Sequence, residues 1–515
     1  MAGFRNYFFV FFLLVILALV VFGNSLGNQL FYDDEELIYK NYYVQNITLW
    51  PNFFTQNMIA GAGKVSNMYR PLLMISFGVN HLIGGLNPFI YHLTNILLHA
   101  TNSFLIFLLI SKLFNSKKVS FLTAILFLIH PVQTEAVTYV SGRTDPLFAF
   151  FMLLSLLFFI KFLETKNKIK LYLFTVFFFL CSLLAKETAI VFPFLGFLIL
   201  LIKEKSFLKV IWKKSLILLP FLMISVIYFL LRLTVLNFNN TLNFYVLDTP
   251  YSSSLLVRFY TFCSILWDYF VLLFWPTDLS NYYEIVPVTN LFSLPVIAFI
   301  TLILFIFTLV YCLKYKIGLF SLLWFFICLL PVSGIVPINN IMAEHYLYLP
   351  SLGFFLILSA LFWFLYEKVK IKEIKLLLTV LLFFLLCALG FRTYLRNQDW
   401  SDPIKFYTLT LKKNLNHAPM RNNLAMAYAE KGQLDLAKQE YLRAIEINDY
   451  YPQTHHNLGN IYLKQGKLNL AEQEYLKALK IDPNFIFSIQ ALKKLYHQQG
   501  RNLEEVNKKI QELFK

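Results

Sequence analysis

The residues best able to do chemistry in this chain lie where an apolar protein has least use for them. Four adjacent carboxylates stand in Phe31-Tyr32-Asp33-Asp34-Glu35-Glu36. Mutual repulsion raises the pKa of some members of such a run. One member could then take a proton from a hydroxyl, or the group could hold a divalent ion (Mg2+ or Mn2+) near phosphate. The competing reading is a solvated acidic loop. Tyr69-Arg70-Pro71-Leu72 follows, and its guanidinium could form a fork to phosphate. Beyond it, His92, Asn95 and His99 are spaced three and four apart, so they share one helical face. Hydrogen bonding between helices competes with any functional role there.

Three further clusters extend the pattern. His130-Pro131, Glu135, Tyr139, Gly142-Arg143 and Asp145 crowd a histidine, two acids and a cation between two apolar runs. His130 and Glu135 are five residues apart, which does not set both squarely on one helical face, so a metal pair is weakly supported. Lys186-Glu187 interrupts a helical hairpin. Its ions either neutralise each other, or Lys186 grips a phosphate while Glu187 orients it. Glu344-His345-Tyr346 precedes another apolar run. The set supplies acids for base work, with Arg70, Arg143 and Lys186 for phosphate.

The elements that must position these groups are membrane helices. Of 515 residues, 58% are apolar, 18% aromatic and 14% charged, with a mean hydropathy of +0.61. Soluble domains carry nearer a quarter of charged residues, so a soluble globule, a disordered chain and a collagen-like rod are excluded. The composition predicts an all-α polytopic bundle. Runs long enough for a bilayer lie near 7–23, 90–111, 119–130, 146–163, 171–185, 188–202, 215–235, 291–313, 318–336, 346–365 and 376–391. Residues 255–275 are read as an interfacial or re-entrant helix, which leaves eleven crossings. The first run is read as an uncleaved helix rather than a signal peptide.

Charge orients the bundle. Lysine clusters at 112–118, 166–170, 203–214, 314–316 and 368–375 all become cytoplasmic if the amino terminus is inside and the tail from Arg392 outside. The same loops account for the net charge of +16, so no nucleic-acid partner is expected. Asp33, Asp34, His130, Glu135 and Glu187 then fall at or near the outer face. The five cysteines lie in apolar stretches and give no disulfide framework. A transporter would place its ions near the midplane in broken helices of repeated halves, and no half-repeat is visible.

After residue 392 the chain turns polar and a period of 34 residues appears. Asn423-Leu424 recurs as Asn457-Leu458, Gly432 as Gly466 and Gly500, and Ala437 as Ala471. That is the tetratricopeptide length, whose helix pairs must stack to bury their apolar sides. The expected division is a bundle over 1–395, a linker or half repeat over 396–416, and repeats over 417–515. Such an array can recruit a partner or acceptor, and no chemistry is assigned to it.

The ordered motifs resemble a known family. Tyr-Asp-Asp at 32–34, Tyr69-Arg70-Pro71-Leu72, His92–His99, His130-Pro131 with Glu135-Ala136-Val137, Gly142-Arg143 and Lys186-Glu187 carry the match. Glu344-His345-Tyr346, Tyr348-Leu349-Pro350-Ser351, Asp399-Trp400 and the repeats complete it. The chain is similar to the transmembrane and tetratricopeptide-repeat O-mannosyltransferases, membrane glycosyltransferases of the GT-C class. The resemblance implies a polyprenyl-phosphate sugar as donor and a protein or glycan hydroxyl as acceptor. Asp33 or Asp34 would act as base, with Glu135 among the catalytic acids. Arg70, Arg143 and Lys186 would bind the departing phosphate, supported by His99, His130, Glu187, Glu344 and His345, and displacement would invert the anomeric centre. The Lys-, Asn- and Phe-rich usage suggests a bacterial plasma membrane with the repeats outside, the endoplasmic reticulum being the alternative. Other readings are a scaffold that anchors the repeats, and a transporter of polysaccharide or lipid-linked sugar.

Overall fold

The computed structural model describes residues 2–165, 169–204, 214–238, 249–300, 303, 315–336, 338, 340–501 and 509. Every regular element among them is helical. Lys166, Lys168, Lys205, Lys209, Lys213 and Lys314, and much of the expected 291–313 span, lie outside the described residues.

The chain divides into two compact units, Met1–Trp400 and Ser401–Lys515. In the first, seven described helices are long and apolar enough to cross a membrane, and the bent pair Lys117–Ile129 with Pro131–Thr138 makes an eighth. The fold is that of a multi-pass membrane protein. The expected eleven crossings exceed this count because several of the expected spans are short. Ile169–Ala185, Phe192–Lys203 and Tyr315–Leu329 have 17, 12 and 15 residues.

These short helices still run between the same two ends. At one end Lys112 pairs with Glu164 at 3.7 Å and Lys118 with Glu367 at 3.9 Å. Lys203 joins Glu164 there, and the Lys316 ammonium donates to the Ile202 carbonyl at 2.7 Å. The described lysines of the clusters around 112, 203, 316 and 368 therefore share that end. The opposite end carries the acidic, histidine and arginine motifs.

The segment Leu255–Phe274 is one unbroken 20-residue helix and counts among the seven. Near its start, Tyr251 and Arg258 lie against Gly334, just past the helix Tyr315–Leu329. Near its finish, the Leu273 carbonyl accepts from His130 Nε2 at 3.1 Å. Both contacts belong to the end remote from the lysines. Pro71–Gly84 is a shorter apolar helix at that same end, starting at Arg70 and leading by a brief turn into Pro88–Phe114.

The second unit stacks Pro403–Lys413, Ala418–Glu430, Leu434–Ile447, Pro452–Lys464, Leu468–Ile481 and Ile486–Gln498. Small residues set the spacing: a methyl at Gly459 would lie 2.6 Å from the Tyr475 ring. Gly432, Gly466 and Gly500 follow the first helix of each successive pair, Ala418–Glu430, Pro452–Lys464 and Ile486–Gln498, with φ of 75°, 74° and 68°, the left-handed conformation that glycine adopts at no cost. Of the expected 396–416 linker, residues through Trp400 fall with the bundle and Pro403–Lys413 packs within the repeat unit.

Candidate functional site

The acidic run does not act as one group of four. Tyr32 takes φ +62°, a conformation in which a bulky side chain is strained and which the surrounding structure must enforce. The backbone then enters a π-helical turn over Glu35–Tyr39. Glu35 and Glu36 pair with Lys40 and Lys64. Asp33 and Asp34 turn the other way.

Asp34 is buried. Its Oδ1 accepts from the Ser141 backbone N–H at 2.9 Å and from the Ser141 hydroxyl. Burial, with Asp33 adding, outweighs those bonds and pushes its pKa up to about 7. Gly142 makes the clasp possible, because a methyl there would sit 2.4 Å from the Glu135 carbonyl oxygen. Asp34 is thus a clasp between the first loop and the Ser141–Arg143 turn.

Asp33 differs. Its surface is accessible, yet desolvation raises its pKa, which means that it lines a recess rather than a convex surface. A hydrogen bond from Tyr139 works against that rise, Glu36 adds to it, and the charges of Arg70 and His345 oppose it. Its backbone N–H donates to the Tyr139 hydroxyl at 3.2 Å. Tyr139 in turn stacks on Trp400, centroids 4.9 Å apart at 20°, so the Asp399-Trp400 motif forms the backing of this loop.

The cations fall into two kinds. Arg70 forks onto Glu187, Nη2 to Oε1 at 2.8 Å and Nε to Oε2 at 3.3 Å. Burial opposes ionisation of Glu187, but Arg70 and Lys186 outweigh it and hold its pKa at about 2. Lys186 Nζ lies 2.6 Å from Asp145 Oδ1, both side chains nearly buried, and 5.8 Å from the Tyr346 ring centroid. Lys186 and Glu187 thus feel each other's charge, but each has its own ion-pair partner, Asp145 and Arg70.

Arg143 is not in the recess, which corrects the expectation that it binds phosphate. It is wholly buried. Its guanidinium donates to Asn95 Oδ1 at 2.6 Å, to the Tyr91 carbonyl at 2.9 Å and to Ser76 at 3.2 Å, and lies 4.7 Å from the Phe77 ring centroid. Contact with a ligand would strip those acceptors of their donor. Arg143 instead ties three helical segments together.

Two expected supporting histidines are likewise internal. His99 bridges the Tyr348 hydroxyl at 2.8 Å and the Leu128 carbonyl at 3.0 Å. His130 caps the Pro131–Gln133 turn, Nδ1 accepting from Val132 N–H at 3.3 Å. Glu135 and His345 do meet at the recess: Nδ1 to Oε1 is 2.8 Å, and the His345 backbone N–H donates to Oε2 at 3.0 Å.

Glu344 is buried behind them. It accepts from Tyr283 at 2.9 Å and from the Ser280 N–H, with Arg396 at 3.5 Å. Burial raises its pKa; Arg396 opposes this and Glu135 adds to it. Ser141, Arg396, Tyr283 and Ser280 were not anticipated. Arg396 carried a readable signal, an ion inside an apolar helix three residues before Asp399. The others are small or aromatic polar residues with no pattern to mark them. Among the described residues no group of three or more His, Cys, Asp or Glu side chains is placed to share a metal ion, so no step below is routed through one.

Fold and site together define a class: an all-α polytopic membrane bundle with a ring of ion pairs at one end, followed by tetratricopeptide repeats. Residues 73–230 match the family described as dolichyl-phosphate-mannose-protein mannosyltransferase. Residues 425–466 and 452–485 match tetratricopeptide repeats. The chain is 28% identical over 478 residues to the human protein O-mannosyl-transferase TMTC3, covering 84% of this chain and 51% of that protein. It is 26% identical over 458 residues to the Caenorhabditis elegans protein O-mannosyl-transferase F38B6.6, covering 86% and 63%. Over 155 residues it is 37% identical to mouse TMTC2, covering 29% and 18%. The chain is TMTC-like along most of its length, and it spans about half the length of the TMTC3 relative.

Proposed function

We propose that the chain is an inverting membrane glycosyltransferase of the GT-C class. It moves a sugar, mannose by analogy with its relatives' names, from a polyprenyl phosphate to a hydroxyl on an extracytoplasmic protein or glycan. The observation that carries this reading is Asp33, an accessible carboxylate whose pKa is raised by desolvation and held back by the Tyr139 hydrogen bond and the Arg70 charge. A raised pKa strengthens a carboxylate as a base near neutral pH.

Asp33 takes the proton of the acceptor hydroxyl as that oxygen attacks the anomeric carbon. The bond from that carbon to phosphate oxygen breaks with its electron pair, and the configuration inverts. Arg70 faces the leaving phosphate, its fork kept rigid by Glu187, and Lys186 adds positive potential from beside Asp145. Asp34 positions the loop. The repeats recruit the acceptor or a partner protein. The Lys-, Asn- and Phe-rich composition supports a bacterial plasma membrane with the repeats outside, while the named relatives come from animals.

The test is purified full-length chain in lipid nanodiscs with a panel of polyprenyl-phosphate sugars, read as released polyprenyl phosphate with and without EDTA. Release from one donor, dependent on an added acceptor, supports the reading. No release from any donor contradicts it and leaves the scaffold or transporter reading.

A further inference from the structure

The recess holds a histidine that its cations do not explain. Arg70 and Lys186 are already paired, with Glu187 and Asp145. His345 is held differently. Glu135 grips it at two points, one oxygen on Nδ1 at 2.8 Å and the other on the backbone N–H at 3.0 Å. Because an ionised carboxylate only accepts, Nδ1 carries a proton in this pairing. The ring is therefore fixed by its far side, and Nε2 is left without a hydrogen-bond partner among the described residues. Glu135 and Tyr346, at 4.6 Å between centroids, contact the ring, and the charge of His345 acts on the Asp33 carboxyl. A histidine whose Nδ1 is clamped by a carboxylate has the form of an oriented acid–base group.

We propose that His345 is the general acid of the reaction, donating its Nε2 proton to the departing phosphate oxygen, with Glu135 as its positioning residue. This rests on the glycosyl-transfer reading above. As the acceptor oxygen bonds to the anomeric carbon, its proton passes to Asp33. The carbon–oxygen bond to phosphate breaks, and the electron pair left on that oxygen takes the proton from imidazolium Nε2. Glu135 stabilises the imidazolium beforehand. Asp33 then loses a proton to water and His345 regains one, so protons balance over the cycle. Displacement with inversion requires base and acid on opposite sides of the anomeric carbon, the places assigned to Asp33 and His345.

The test uses full-length protein in nanodiscs with polyprenyl-phosphate mannose and follows acceptor-dependent release of polyprenyl phosphate against pH. Wild type is expected to give a bell-shaped rate profile, rising as Asp33 ionises and falling as His345 loses its proton. His345→Gln, which can still donate to Glu135, is expected to lose about a hundredfold in kcat together with the alkaline limb. His345→Ala is expected to regain rate with added imidazole, and Glu135→Gln to lower kcat with little change in donor KM. A merely structural histidine would move none of these limbs. A folded His345→Gln with the wild-type rate, or with its alkaline limb intact, overturns the proposal and leaves the transferase reading standing. No release by wild type from any donor overturns both.

Discussion

Asp33 and Asp34 are neighbours in sequence and opposites in environment, and each makes a different prediction. A base must be ionised to act, and desolvation raises the Asp33 pKa. The rate should therefore fall on the acid side at a pH above the ordinary aspartate value of about 3.9. Arg70 is one of the charges that hold this pKa down, so Arg70→Gln should move that limb to higher pH and raise donor KM. A limb that does not move would remove Arg70 from the neighbourhood of the base. For Asp34 the sign runs through folding. Its folded pKa of about 7 lies above the unfolded value, so the folded state favours the protonated form. That contribution is complete below about pH 4 and lost as pH rises through about 7. Asp34→Asn mimics the neutral acid and should unfold at a temperature that falls less between pH 5 and pH 8 than wild type. Equal falls in the two proteins would assign the titration elsewhere.

At the scale of elements, the site depends on a few close backbone approaches. Gly142→Ala would drive a methyl toward the Glu135 carbonyl, 2.4 Å away, and the Ala136 Cα, 3.1 Å away. Both are backbone atoms and cannot yield as a side chain would. The Ser141 turn should shift, the clasp on Asp34 should open, and activity should fall by about a hundredfold with a lower unfolding temperature. Kinetics and thermal unfolding of the same preparation check this; a fully active variant would show that the clasp is not needed. The apolar runs and the lysine clusters made the helices and the two ends of the bundle readable, because length and charge act locally. The motifs named the loops of the site for the same reason. What could not be read was which polar group faces inward. Arg143 and Lys186 look alike in sequence, yet one is consumed by Asn95, Tyr91 and Ser76 and the other is paired with Asp145. That difference is decided by tertiary contacts some 40 to 70 residues distant. The helix Leu255–Phe274 is a second case, read as interfacial from the charge count and yet long and apolar enough to cross a membrane.

At the scale of the molecule, the proposed function gives the chemistry to the bundle and recruitment to the repeats. The repeat unit has its own buried groups, with Ala471, Tyr475 and Leu495 at full burial, and its spacing rests on contacts such as Gly459 against Tyr475. Gly459→Val should overpack that contact at a cost of about 1–3 kcal/mol. Donor hydrolysis by water should be unchanged in this variant, while transfer to a protein acceptor should fall. Parallel loss of both activities would mean that the repeats do more than recruit. The most direct measurement of the whole account is acceptor-dependent release of polyprenyl phosphate by wild type and by Asp33→Asn, compared in nanodiscs after both have been shown to unfold at the same temperature. The account predicts release by wild type and a loss of at least about a hundredfold in the variant; undiminished release by Asp33→Asn would contradict it.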